Sequence, residues 1–317
     1  MSAMQKRYWE SLSDEELVGL EMTTDDPENL PGLVTEVPPG DEEVYVEYKY
    51  DLTKSGRDEF SCVHGHHRHL KGFVMRKGRA RFLVGWMCGK SIYGEDFDAY
   101  TADFDAAIIK RDTLRRVKDI KVAIDPFSAW LQEVTDSNVF DRFDSAREQV
   151  YEHLQWVHDN FYFIAHADVR ARRSNFPERL FDEKNDPELD WNRAVAEFHA
   201  IAMRAVSTEE WAEKNLAHMK RAMEGLLKRF ERVLAQLKEL ETFFQPEVLA
   251  LICEYANVHD NPKKRTYQPG LLSITCKRGK DKTVVCMPRS YKVPSTRAID
   301  AFRVALGGLQ FLKSSAA

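Results

Sequence analysis

The sequence predicts a predominantly helical α+β protein, and three observations lead there. An apolar stripe of alternating steps of four and three runs from Ala212 to Phe244. A Cys/His cluster flanks a strand–turn–strand pattern between residues 62 and 88. A second short strand pair sits near the C-terminus in strongly basic surroundings. Together they divide the chain into three parts. Residues 1–120 form an acidic segment with a zinc-stapled β-hairpin/helix unit, and residues 121–245 an antiparallel helical bundle. Residues 246–317 form a basic helix–hairpin–helix module.

The elements follow in order. Ser13 and Glu16 stand at capping-box spacing ahead of Leu17 and Leu20, which starts a short helix. A Pro-, Asp- and Gly-rich stretch then gives an irregular connection, and Val44–Tyr50 alternates as a strand. Two apolar runs about Gly78 predict a hairpin between Gly72 and Gly85. Phe97, Tyr100, Phe104, Ala107, Ile108, Leu114 and Val117 place a helix over about 95–120. Val150, Leu154, Val157, Phe161 and Ile164 continue the helical pattern, as do Trp191, Val195, Phe198 and Ala202.

The longest helix is expected to start at a cap in Ser207-Thr208-Glu209-Glu210 and to run roughly 50 Å at about 1.5 Å per residue. Its seam is Ala212, Leu216, Met219, Met223, Leu226, Phe230, Val233, Leu237, Leu240 and Phe244. Leu227 and Leu234 widen the stripe, while Ala222, Gln236 and Leu227 stand where pairing charges would flank a two-stranded coil. That favours packing within the chain over a dimeric coiled coil, with self-association through the helix tips left open. Pro246 suits the first position of a following helix. A basic loop over 261–270, strands at Leu272–Cys276 and Thr283–Met287, and a helix over 295–312 complete the chain.

Composition predicts a soluble protein. The 317 residues are 43% hydrophobic, with no run of eighteen apolar residues and no apolar core of a signal peptide near Met1. Five cysteines suggest no disulfide framework, so a reducing cytoplasmic compartment is the expectation. The net charge of −5 conceals polarity. From Glu10 to Glu59 sixteen acids face three bases, whereas from Asn261 to Arg297 ten bases face Asp281 alone.

The densest chemistry is Cys62-Val63-His64-Gly65-His66-His67-Arg68-His69, followed nineteen residues later by Cys88. Thiols and imidazoles are the ligands zinc selects, and a hairpin would fold the far cysteine onto the near histidines. Cys62, His64, His69 and Cys88 are the expected tetrahedral set for a structural zinc ion, with His66 and His67 as alternative imidazoles. The layout resembles a zinc-ribbon or treble-clef finger over about thirty residues, although Cys62-x-His64 is one residue shorter than a Cys-x-x-Cys knuckle. The helix that follows contains no His or Asn, unlike that of a ββα metal nuclease. Gly85-Trp86-Met87-Cys88-Gly89-Lys90-Ser91 falls one residue short of a P-loop between its glycines. Cys253, Cys276 and Cys286 are read as core thiols rather than as a second zinc site with His259.

For partners, the basic segment carries the signal. Lys263, Lys264, Arg265, Lys277, Arg278, Lys280 and Lys282 are expected to meet phosphates, with Tyr267 and Tyr291 stacking on bases. The function expected is that of a non-enzymatic, zinc-stabilised nucleic-acid-associating protein. The alternatives are an interaction adaptor or inhibitor using the acidic N-terminal region, and a metal-dependent hydrolase at the histidine cluster with Asp58 or Glu59 as base.

Overall fold

The computed structural model describes residues 8–65, 67–170, 176–177, 179–182, 186–208, 211–260 and 265–307. They fall into two compact units, residues 1–118 with 210–216 and residues 119–209 with 217–317.

The first unit contains α1 (Tyr8–Ser11), α2 (Asp14–Gly19), β1 (Val44–Asp51), β2 (Phe60–Ser61), β3 (Arg68–His69), β4 (Lys71–Lys77), β5 (Ala80–Val84), α3 (Trp86–Tyr93) and the first part of α4 (Glu95–Asp136). The Ser13–Glu16 capping box opens α2 with both reciprocal bonds present. The hairpin expected about Gly78 is β4–β5, and β1 adds to it in an antiparallel sheet of order β1-β4-β5. Both faces of this sheet are covered, which explains the unbroken apolar run Phe73-Val74-Met75. On one face Val46, Phe73, Met75, Phe82 and Val84 pack with Trp9, Leu17, Phe97 and Phe104; Tyr50, Leu52, Val74 and Leu83 form a smaller cluster.

Several acids of the N-terminal region are used inside this unit. Glu47 accepts bonds from Arg76 at 2.9 Å and from Arg81 at 2.6 and 2.8 Å. Arg57 bridges Asp26 and Glu28. These contacts reduce the free negative charge available for an adaptor surface.

Gly89, part of the P-loop-like stretch, has a packing role. A Cβ there would lie 2.3 Å from two ring carbons of Phe97, a side chain with no exposure. Gly89→Ala is therefore expected to destabilise the first unit by about 1–3 kcal/mol through overpacking. A thermal melt of the variant against the parent chain reads this directly, and an unchanged midpoint would contradict the packing argument.

The helix α4 extends well past the expected end near Ile120 and carries Pro126 in its interior. A proline removes one bond to the carbonyl four residues earlier. That carbonyl belongs to Val122, which is exposed, while Ile124, Phe127, Leu131 and Val134 are buried. The freed acceptor thus falls on the solvent-facing side of the helix, and tertiary packing of the buried face holds the helix together.

The second unit continues with α5 (Val139–His153), α6 (Gln155–Asp159), α7 (Phe161–Arg170), α8 (Pro187–Ser207), most of α9 (Glu213–Phe243), α10 (Pro246–His259), β6 (Thr266–Pro269), β7 (Ser273–Arg278), β8 (Asp281–Cys286) and α11 (Arg297–Ala305). Its core is aromatic. Phe127 meets Phe198, Phe230 and Phe302 at centroid distances of 5.0, 5.9 and 4.7 Å. Trp191 packs on Phe230 at 4.9 Å and donates its indole N–H to Thr135 Oγ1 at 3.0 Å.

Four boundaries differ from the sequence reading. Ser207 ends α8 instead of capping α9; α9 begins at Glu213, and Glu209 and Glu210 lie outside the described residues. Ala212 is consequently exposed, whereas Leu216 through Phe244 of the seam are buried. The pattern over 150–164 is divided at Leu154 and Asn160, whose side-chain amide donates to Trp156 O at 2.8 Å. The apolar period survives the breaks because all five stripe residues still reach the core. The loop expected over 261–270 contains β6, giving a sheet of order β6-β7-β8. The final helix is described only to Ala305, and residues 308–312 of its expected range lie outside the described residues. Among the described residues no helix is long and apolar enough to cross a membrane.

Candidate metal centre and basic hairpin

The Cys/His segment is a knuckle closed by a two-residue ladder. Phe60 pairs with His69 and Ser61 with Arg68, and the Cys62 N–H donates to His67 O at 2.8 Å. Gly65 takes φ +64° at the tip, the left-handed region that glycine tolerates. The Val63 N–H donates to Leu83 O, which ties the knuckle to β5. The chain leaves β5 through Gly85 into α3, and Cys88 lies in the first turn of that helix. A Cβ on Gly85 would stand 3.0 Å from the His69 ring, so the glycine lets the imidazole approach the helix start.

Of the four expected ligands, Cys62 has the His69 ring and the Cys88 thiol as neighbours. Burial works to raise the Cys62 thiol. The His69 ring, the backbone N–H groups of His64 and Gly85, and the Cys88 thiol outweigh it and bring Cys62 down to about 7. Cys88 is pushed up to about 11 by burial and by the neighbouring Cys62 sulfur, and its thiol points to His64 O at 3.8 Å.

His69 has one nitrogen served and one not. Nδ1 lies 3.1 Å from the Tyr50 hydroxyl, while Nε2 is sealed from solvent without a hydrogen-bond partner. Burial keeps Tyr50 protonated by raising its hydroxyl. The tautomer sets the role of Nε2: with the proton on Nδ1, donated to the Tyr50 oxygen, Nε2 presents a lone pair to the interior, whereas with the Tyr50 hydroxyl donating to Nδ1, Nε2 carries the N–H that favours a Cys62 thiolate. An orphaned buried nitrogen ordinarily costs about 1–3 kcal/mol, so this one needs an explanation.

The remaining imidazoles are placed differently. His64 and His67 are exposed, and His66 lies outside the described residues. Among the described residues no group of three His, Cys, Asp or Glu side chains is arranged to hold a metal ion. Tyr50 was not visible as a functional residue in the sequence, since its alternation in β1 signals only a strand. Tyr50→Phe removes the hydroxyl that orients the His69 ring. If the knuckle holds zinc, the change is expected to weaken its affinity about 10–100-fold in a chelator competition. Unchanged affinity would remove His69 from the ligand set.

In the second unit, β7 and β8 form a hairpin with a two-residue turn at Gly279-Lys280, shorter than the connection expected between Cys276 and Thr283. Lys277, Arg278, Lys280 and Lys282 are all exposed, and none forms an ion pair among the described residues. Lys277 stands directly opposite Lys282, and Arg278 opposite Asp281. Arg265 instead pairs with Asp260 at 3.4 Å, and Lys263 and Lys264 lie outside the described residues.

The two expected stacking residues belong to the core. Tyr267 is 2% exposed and donates its hydroxyl to Asp260 at 2.6 Å; Tyr291 is 7% exposed and donates to Leu237 O at 2.7 Å. Their β-strand and loop contexts turn the rings inward, which excludes base stacking there. Of the three distal cysteines, Cys253 is buried and Cys276 half-buried. Cys286 is exposed, because its neighbour Val285 takes the inward position on β8. Comparison with protein-family models, curated proteins and solved structures finds no match for the chain.

Proposed function

We propose that this chain is a non-enzymatic nucleic-acid-associating protein, stabilised by a structural zinc ion and contacting phosphates through the β7–β8 hairpin. The observation that carries the reading is the exposed Lys277↔Lys282 pair on adjacent strands, with Arg278 and Lys280 at the tip; Asp281, opposite Arg278, is the one acid in the hairpin, and none of the four cations forms an ion pair among the described residues. Like charges directly opposite on a sheet are unfavourable, by roughly 0.2–1 kcal/mol per pair. A polyanion that lies along the hairpin relieves that repulsion and gains entropy from released counterions. Loss of the tyrosine platforms removes base stacking from the proposal, so the contact is one of charge with backbone phosphates.

Zinc is proposed at the knuckle. Cys62, Cys88 and the Nε2 of His69 would supply three ligands, with His64 as the fourth and His66 or His67 as the alternatives. Support comes from the orphaned Nε2 and from the backbone N–H groups directed at the Cys62 sulfur, an environment suited to a bound thiolate. The helices of the second unit would act as an antiparallel scaffold.

The test is retention of the full chain on DNA and RNA across a salt series, with the parent set against Lys277→Glu/Arg278→Glu/Lys280→Glu. Binding that weakens with salt and is lost in the variant supports the reading. Failure of the parent to bind any nucleic acid at low salt defeats it.

A further inference from the structure

A cavity of about 520 Å³ opens beside the knuckle in the first unit. Its volume lies in the range of small-molecule sites, roughly 300–1,000 Å³. Arg68 and Lys71 give it cations, with no carboxylate in the lining among the described residues, and Trp86 and Met87 give it an apolar wall; His64, His69 and Cys88 of the proposed zinc site also line it.

The apolar wall is exposed in a way that packing does not require. Met87 is 82% exposed and Trp86 is 48% exposed, side by side at the start of α3. Trp86 is nevertheless fixed in place. It touches Phe73 at 6.0 Å and Phe97 edge-on at 5.6 Å, and the Lys90 ammonium stands 5.3 Å from its ring centroid. A rigid, half-open indole is a ready platform for a flat ring, since little ordering entropy is lost when one stacks on it. On the rim, Lys71 pairs with Asp51 at 2.9 Å, while Arg68 forms no ion pair among the described residues. A free guanidinium with its planar fork suits a phosphate better than a lone ammonium does.

We infer that this cavity binds a nucleoside phosphate, with its phosphate at Arg68 and Lys71 and its base against Trp86 and Met87. The site is not a P-loop, because side chains rather than a glycine-rich backbone would make the contacts. It lies in the first unit and goes beyond the hairpin reading. The same chemistry has two sources, a free nucleotide or the terminal nucleotide of a strand.

Isothermal titration of the full-length protein separates the outcomes. The probes are AMP, adenosine, and a short oligonucleotide with either a 5′-phosphate or a 5′-hydroxyl. AMP is expected to bind at least about tenfold tighter than adenosine. Arg68→Ala and Met87→Ala, both at exposed positions, should each weaken AMP at least about fivefold with an unchanged melting temperature. The Lys277→Glu/Arg278→Glu/Lys280→Glu protein should keep full AMP affinity, which separates this site from the hairpin. If AMP fails but the 5′-phosphorylated strand binds tighter than its 5′-hydroxyl form in an Arg68-dependent way, the occupant is a strand terminus. Equal affinity for AMP and adenosine, no binding of either phosphorylated probe, or binding indifferent to Arg68 and Met87 overturns the inference.

Discussion

If the proposed zinc site is occupied, the parent is expected to purify with one zinc ion per chain and the Cys62→Ser and Cys88→Ser proteins without it. Their first unit should lose at least about 3 kcal/mol of stability, which for a domain of this size lowers its melting temperature by more than about 12 °C. The direction follows from the site. Both sulfurs sit in the same apolar cluster as Phe73, Phe82 and Phe97, so removing a metal leaves His69 Nε2 unpartnered in a closed environment. The magnitude stays below that of an isolated zinc finger because the sheet has a core of its own. Met22, Val46, Met75, Phe82, Val84, Phe97 and Phe104 are fully buried without help from a metal. Helical signal from the second unit should persist. Chelation of the parent should reproduce the variants, and retention of zinc by both serine proteins would place the metal elsewhere or nowhere.

The second large effect concerns the hairpin. Reversing Lys277, Arg278 and Lys280 to glutamate is expected to lower nucleic-acid affinity at least about a hundredfold at low salt, with equal losses across unrelated sequences. Uniformity is part of the prediction, since phosphate contacts position a protein without reading bases. The fold should tolerate the change. All three side chains are exposed, and the sheet core comprises Ile274, Val285 and Tyr267 instead. Glutamate at 277 would also face Lys282 and replace a repulsive cross-strand pair with an attractive one. Folded variant protein that binds as well as the parent would remove the hairpin from the interface.

What was legible in the sequence follows its local periodicity. The Ser13–Glu16 box, the hairpin about Gly78 and the seam from Leu216 to Phe244 were all readable because each obeys a short-range rule. The misreadings arose where tertiary contacts prevailed. The helix expected over about 95–120 continues to Asp136, because the buried face around Phe127 carries α4 through Pro126. Thr208 and its neighbours look like a cap, yet α8 runs up to Ser207. The segment over 261–270 was expected to be loop, but Thr266–Pro269 forms an edge strand of the sheet, where the missing N–H of Pro269 is harmless.

The candidate site divides in the same way. The hairpin length suggested that Cys88 would return toward the Cys62–His69 segment, but the spacing did not distinguish among its four imidazoles. Nothing in the spacing indicated that Tyr50, twelve residues before the first cysteine, would hold His69. Tyr267 and Tyr291 show the opposite limit. Aromatics among basic residues look like base platforms, but burial is decided by which face of the sheet or loop they occupy.

The measurement that tests the central claim most directly is the salt dependence of nucleic-acid binding by the intact protein. Four hairpin cations engaging phosphates give a slope of log K against log salt of about −3 to −4, and each cation removed should reduce its magnitude by about one. That slope, falling stepwise in Lys277→Ala and Lys277→Ala/Lys280→Ala, is the predicted result. No measurable binding at low salt, or binding with a slope unaffected by these substitutions, would contradict the account.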